Sequence, residues 1–396
     1  MIRKILRKPF IVESGGGILL LLSTIAALVL ANIPGGYGSY IRLLSISFDF
    51  SFGIFHLEKS LYHLINDGLM TIFFFQVALE IKRERKDGEL ASREQIALPL
   101  IAAIGGIVVP AVLYVLVNWN NSVGLRGWAV SSATDIAFAV GILSLLGSRI
   151  PSILRTFLLT LAILDDLASI IIIAVFYTSE ISMQMLALAG LGILILAILN
   201  AFGCRFLWAY LITGFFLWYV VLKSGVHATL SGVVLGFFIP FKLRDGKGKT
   251  FKLLTEVEHS LNPWVTYGIL PIFAFANAGI SFAEVSRFDL LSPVTLGIFF
   301  GLLIGKPLGI GIASLISIKL KLSKLPSSVP FYAFIGLACL GGIGFTMSFF
   351  IASLAFVKLP PQYMTYTKLG VLGGSLISGI LGYLILRSLP EKKELL

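Results

Sequence analysis

Two adjacent carboxylates, Asp165 and Asp166, lie in the run Leu158-Leu-Thr-Leu-Ala-Ile-Leu-Asp-Asp-Leu-Ala-Ser-Ile-Ile-Ile-Ile-Ala174, with no other charged residue within eight positions on either side. Inserting each as an anion in a membrane helix costs about 2.5 kcal/mol or more, which makes the pair a functional candidate rather than filler. Neighbouring helix positions point about 100° apart, so both carboxylates can border one cavity without occupying the same spot. Two close carboxylates resist carrying two negative charges, and either a proton or a bound cation relieves them. The pair is by its chemistry a proton-or-cation switch. Lys306, in Gly-Lys-Pro, is a cation deep in an apolar segment and needs an acidic partner, with Asp165, Asp166 and Asp135 as candidates. A Lys–Asp pair that breaks on protonation couples proton uptake to cation release; the alternative is a static salt bridge.

Asp135 falls in Ala133-Thr134-Asp135-Ile-Ala-Phe138, where an anion either neutralises exposed helix amides or contributes to an ion site. Thr134 adds a hydroxyl that a hard cation accepts, or that bonds a nearby carbonyl. Asp67 and Glu13 lie nearer segment ends and read as interfacial, and His227 reads as a hydrogen-bonded packing residue. Glu80, Arg83 and Glu84, with Glu256, Glu258 and His259, form charge clusters at the ends of two segments. Such clusters are either solvated faces or, at an ion funnel, groups that tune its potential and pH response.

The elements that must position these residues follow from composition. Of 396 residues, 57% are apolar and only 13% charged, against about 25% charged in soluble domains. Mean hydropathy is +0.96. These values exclude a soluble domain, a secreted disulfide scaffold and a disordered chain, and unbroken apolar runs exclude a β-barrel. The expectation is an all-α membrane protein, one integral membrane domain over 1–396, with about 12 transmembrane helices. Runs bounded by Gly, Pro, Asn or charge place them at 11–31, 60–81, 96–117, 126–146, 151–177, 183–201, 205–221, 225–240, 256–280, 294–318, 330–356 and 362–387. They are called helices one to twelve below. Cys204 and Cys339 have no metal-site spacing and read as packing residues. The basic N-terminus followed by an apolar run resembles a secretion signal but is read as an uncleaved first crossing.

The net charge of +11 would suggest an acidic partner in a soluble protein; here it is topological. With the N-terminus inside, 23 of the 31 Lys and Arg residues fall on the cytoplasmic side and six outside, while Lys306 and Lys368 lie within helices. Both termini are therefore expected in the cytoplasm. Residues 45–58 alternate polar and apolar around Gly53, the pattern of an extracytoplasmic β-hairpin. Its phenylalanines need cover, from a second protomer or from the chain's own helices. Residues 101–114 and 299–312 both place glycine ahead of a helix proline, and each precedes a polar stretch, Ser131–Asp135 and Gly341–Ser348. Helices three to five thus repeat as ten to twelve in inverted topology, with helices four and eleven interrupted.

Several stretches together resemble the NhaA sodium/proton antiporters. They are Leu64-Ile-Asn-Asp-Gly-Leu-Met70, Ala78-Leu-Glu-Ile-Lys-Arg-Glu84, Ala133-Thr-Asp-Ile-Ala-Phe-Ala139, Ile163-Leu-Asp-Asp-Leu167, Lys223-Ser-Gly-Val-His-Ala-Thr229, Pro271-Ile-Phe-Ala-Phe-Ala-Asn-Ala-Gly279, Ile304-Gly-Lys-Pro-Leu-Gly309 and Gly342-Ile-Gly-Phe-Thr-Met-Ser348. That family is itself a standard example of inverted-repeat transporters with discontinuous helices. The resemblance implies no enzyme and no cofactor. It implies electrogenic, pH-regulated exchange of internal sodium or lithium for external protons across a bacterial inner membrane. Asp166 matches the main cation carboxylate, Asp165 the proton-carrying partner of Lys306, and Asp135 with Thr134 the helix breaks. The sodium ligands would be Asp165 and Asp166, and Glu80, Arg83, Glu84 and Glu258 would carry the pH response. Hairpin 45–58 would make a homodimer contact; the bilayer is the other partner, and nucleic acid is not one. Thr255, Glu256 and Asn262 stand where basic residues and a second histidine are expected, so the pH set-point does not carry over. A sodium-coupled solute symporter is the alternative, though it needs a larger polar cavity. An intramembrane aspartyl protease built on Asp135 and Asp165 lacks its Gly-x-Gly-Asp signature and leaves Asp166 and Lys306 unexplained.

Overall fold

In hydrocarbon a chain must satisfy its own backbone groups, so long apolar runs form helices. The computed structural model of this chain describes residues 9–52, 55–178, 181–244, 250–323, 330–357 and 359–390. Among them, ten helices are long and apolar enough to cross a membrane. An eleventh crossing is the pair Phe331–Gly341 and Phe345–Ala355, bent by 41° at its break, and Thr229–Phe238 is a shorter apolar helix. In chain order these follow the twelve expected segments. The chain is a multi-pass, all-α membrane protein.

The differences from expectation lie at ends and breaks. Helix two runs from Leu61 to Asp87, past the expected end at 81, so Arg83 and Glu84 lie on the helix rather than in a loop. Lys82 explains part of that extension: its ammonium donates to the carbonyls of Phe237 (2.6 Å) and Ile239 (2.7 Å) at the end of helix eight. Helix eight itself has only 10 helical residues, Thr229–Phe238. Helix four is interrupted as expected: 3-10 turns at Gly124–Gly127 and Val130–Ser132 precede an extended link, and the α-helix begins at Ile136. Three segments contain a wide π-turn, at Leu64–Leu69, Val265–Ile269 and Gly301–Gly305. The expected hairpin is present as antiparallel strands β1 (Ser47–Phe52) and β2 (Phe55–Ser60), pairing Ser47 with Ser60 and Phe52 with Phe55. Its turn, residues 53 and 54, lies outside the described residues, as do the expected cytoplasmic ends 1–8 and 391–396.

The chain divides into two compact units. The first comprises Met1–Ile41, Ser92–Asp166 and Ala274–Leu396, the second Arg42–Ala91 and Leu167–Phe273. In the second, helices two, six, seven and eight share a core that includes Leu79, Leu196, Tyr210, Leu217 and Ile239. In the first, helix three packs on helix ten through facing glycines. A Cβ on Gly309 would run into the Gly105 carbonyl, and one on Gly105 into the Gly309 carbonyl and Ala313. That approach occurs one turn from Lys306, so it fixes where the ammonium lies. Gly309→Val is expected to wedge the two helices apart, costing about 1–3 kcal/mol. Thermal unfolding in detergent checks this, and an unchanged midpoint refutes the close contact.

Candidate functional site

The site of the first unit is assembled from two broken helices, helix five and helix ten. Where a helix stops inside a bundle, its last carbonyls and first amides lose their partners. Here those ends meet side chains. Asp135 is the N-cap of the second half of helix four, its Oδ1 accepting from the Phe138 amide at 2.9 Å. Its Oδ2 accepts from both the amide (2.9 Å) and the hydroxyl (2.5 Å) of Thr346, in the first turn of the second half of helix eleven. One buried carboxylate thus caps two helix N-termini, where the helix dipoles favour negative charge. The Asp135 amide also donates to the Ile343 carbonyl at 2.6 Å, tying the two breaks together through the backbone. Of the two roles open to Asp135, the geometry gives it the neutralising one. Ser375 on helix twelve supports the same break by accepting from the amides of Gly344 and Phe345, each at 3.2 Å.

The opposite, carbonyl-bearing ends face cations and hydroxyls. Lys306 is fully buried, on helix ten directly after the π-turn, and its ammonium donates to the Ser132 carbonyl. It also pairs with Asp165 Oδ2 at 2.8 Å. Of its three candidate partners, Asp165 is the one that holds it. The Thr134 hydroxyl lies 2.5 Å from the same Oδ2 and 2.9 Å from the Gly341 carbonyl, at the end of the first half of helix eleven. Asp165 Oδ1 is buried and has no hydrogen-bond partner among the described residues. A buried carboxylate oxygen without a donor is unfavourable unless something positive visits it. Asp166, 2% exposed, follows it on the same helix. Carboxylate and hydroxyl oxygens are the donors that a small hard cation prefers.

Sequence reading named Asp165, Asp166, Asp135, Thr134 and Lys306. The structure brings Asp165, Thr134 and Lys306 into direct contact and gives Asp135 to the helix ends. It adds Thr346 and Ser375, which the sequence analysis did not single out. The polar content of Gly342–Ser348 was the available signal for Thr346; nothing in the sequence pointed to Ser375.

The second unit holds the charge cluster. Arg83 Nε donates to both carboxylate oxygens of Glu258, at 2.9 and 2.8 Å, and its Nη1 pairs with Glu84 at 2.7 Å. Glu258 is buried at 7% exposure. Glu84 also accepts from the Glu89 amide at 2.8 Å. Glu80 interacts electrostatically with Arg83. Glu80, Arg83, Glu84 and Glu258 are therefore brought together as expected, Glu256 and His259 being on the same helix as Glu258. His227 bonds the Thr229 hydroxyl at 2.8 Å and stands 3.7 Å from Asp67, in keeping with a packing residue that also has a charged neighbour.

Comparison with known proteins identifies the family. The model of the family Na+/H+ antiporter 1 matches residues 7–386. The chain belongs to that family, the NhaA antiporters. It is 50% identical over 383 residues to Na(+)/H(+) antiporter NhaA 1 of Syntrophotalea carbinolica, covering 97% of this chain and 96% of the relative. Identity to the NhaA antiporter of Citrobacter koseri is 48% over 385 residues, covering 97% and 98% of the two chains. Identity to that of Shigella flexneri is 48% over 384 residues, with the same coverage. The family is one of transporters rather than enzymes, and the symporter and protease readings are not favoured.

For this member, the ion pair should be visible energetically. Lys306→Ala leaves Asp165 as a buried unpaired charge and is expected to cost about 3–5 kcal/mol. Adding Asp165→Asn should remove most of that penalty in a double-mutant cycle read by thermal unfolding. Additive losses would mean that the pair is not energetically coupled.

Proposed function

We propose that this NhaA member exports sodium or lithium in exchange for protons, with Asp165, Asp166, Thr134 and Lys306 as the exchanging site. The observation that carries the reading is Asp165. One of its oxygens is held by Lys306 and Thr134, and the other is buried without a donor. A sodium ion reaching that free oxygen, Asp166 and the Thr134 hydroxyl adds positive charge beside the Lys306 ammonium. Like charges a few ångströms apart in a weakly polar interior repel strongly, so the cation displaces protons from Lys306 and Asp166. When protons return, Lys306 regains its charge, re-forms its bond to Asp165 and expels the cation. Binding is then competitive in both directions. Emptying two proton sites for one monovalent ion moves net charge, which makes the exchange electrogenic.

Asp135 stays out of this exchange. Its oxygens are committed to helix amides and to Thr346, so it holds the broken helices in place while the neighbouring groups change charge. Glu80, Arg83, Glu84 and Glu258 carry the pH response on this reading. The Arg83–Glu258 pair joins helix two to helix nine, while Arg83–Glu84 lies within helix two, so charge at this cluster acts on the contact between the two helices. The distribution of Lys and Arg supports two cytoplasmic termini in a bacterial inner membrane. The hairpin formed by β1 and β2 supports a homodimer contact at 45–58. No cofactor is required, because the transported ions supply the charge changes.

Everted vesicles energised to an acid interior test the exchange. Sodium and lithium, but not potassium, are expected to dissipate the proton gradient between pH 6.5 and 9. Asp166→Asn should reduce the response to that of vesicles lacking the protein, with normal folding. Exchange at the normal rate in that variant would overturn the site assignment, and a response to potassium equal to that to sodium would overturn the ion class.

A further inference from the structure

Two of the links between helix two and helix nine in the second unit differ in chemistry. The outer one is the Arg83–Glu258 pair, in which the Arg83 Nε–H is shared between both carboxylate oxygens. The inner one contains no ionisable group: Gln76 Nε2 donates to Asn262 Oδ1 at 3.3 Å, and the Thr266 hydroxyl donates to the same oxygen at 2.9 Å. Gln76 is seven residues before Arg83 and Asn262 four after Glu258, so both links lie on the same helix faces. Thr266 is the second residue of the π-turn Val265–Ile269.

That stretch of helix nine is poor in backbone support. Pro263 removes the amide that would bond the His259 carbonyl, Pro271 removes another, and the π-turn shifts the ladder between them. Side chains therefore decide where the π-turn rests. Gln76 is also costly where it is. Its Oε1 is buried without a hydrogen-bond partner among the described residues. If its amide is flipped, the nitrogen is stranded instead. A leucine of similar size would avoid that penalty, so packing alone does not account for an amide here.

We propose that Gln76, Asn262 and Thr266 are positioning residues: a charge-free clasp that holds the π-turn of helix nine against helix two and keeps Arg83 and Glu258 in register when acid weakens their pair. The proposal rests on the reading of the charge cluster as pH-responsive. The other charged groups that act on Arg83 are Glu80 and Glu84 on helix two, while Glu256 and His259 of helix nine are exposed. Lys82 is turned to the carbonyls of helix eight, and Lys252 pairs with Asp87 at 2.5 Å at the far end of helix two. The clasp does not titrate. The neutral link persists whatever happens to the ionic one. Without the clasp the helices depend on the ionic link, so activity should fail at a higher pH on the acid side and be unchanged on the alkaline side.

The test compares Gln76→Leu, Thr266→Val and Thr266→Ser with the unaltered protein in proteoliposomes, measuring sodium-driven proton release across pH. Gln76→Leu and Thr266→Val are expected to move the acid limb to higher pH with sodium KM unchanged at alkaline pH, and Thr266→Ser to restore the normal profile. Gln76→Leu combined with Glu258→Gln should fall at least about threefold below the product of the single-variant rates. An unmoved acid limb with multiplicative rates overturns the clasp. If Glu258→Gln alone leaves the pH profile unaltered, the pH reading of the charge cluster fails. The clasp is then judged by thermal unfolding of the same double variant, where coupling supports it and additivity overturns it.

Discussion

A single carboxylate placed between two buried helix starts is the interaction on which the first unit depends. Breaking a membrane helix exposes amides and carbonyls that lipid cannot satisfy, and each orphan costs as much as a lost hydrogen bond. Asp135 answers this at both breaks, accepting from Phe138 on helix four and from Thr346 on helix eleven. With the amide ends neutralised, the carbonyl ends at Ser132 and Gly341 are left to meet Lys306 and Thr134. The site exists because two chain breaks leave opposite partial charges in one place, and different side chains are assigned to each sign.

The same division explains why three acidic residues do not act alike. Asp135 is saturated with donors, whereas Asp165 spends one oxygen on Lys306 and Thr134 and keeps the other free. A saturated carboxylate gains little from a passing cation, while a half-satisfied one gains much. A buried ion pair of the Asp165–Lys306 kind contributes little net stability against an apolar substitute, because desolvation offsets its attraction. Its value lies in the alternatives it offers. In the exchange proposed above, Lys306 and a metal cation compete for that one carboxylate.

The second unit uses electrostatics differently. Arg83 gathers Glu84 and Glu258 at the charged ends of helices two and nine, and a neutral trio of Gln76, Asn262 and Thr266 repeats the connection two turns deeper. An ionic and a neutral link thus join the same two helices. The neutral hydrogen bonds do not titrate, whereas the outer link joins two charged groups. Pro263, Pro271 and the π-turn between them interrupt the backbone ladder of helix nine beside that trio.

Much of this was legible in the chain itself. Composition and unbroken apolar runs determined a helical membrane protein, since hydrocarbon admits no other use of such runs. Asp165, Asp166 and Lys306 stood out because a charge in an apolar segment is too costly to be incidental. The hairpin at β1 and β2 was written in its alternation. Tertiary structure decided the partnerships. Lys306 had three acidic candidates, and only the packing of helix ten in the first unit puts it on Asp165. Asp135 had two roles, and only the approach of helix eleven made it a double cap. Helix two outran its apolar stretch because Lys82 and Arg83 found partners on helices eight and nine. Gln76 and Ser375 carried no warning, because a neutral polar residue inserts cheaply and acquires meaning only from the residue it faces. Sequence records which groups are expensive to bury; which of them meet depends on contacts between residues far apart in the chain.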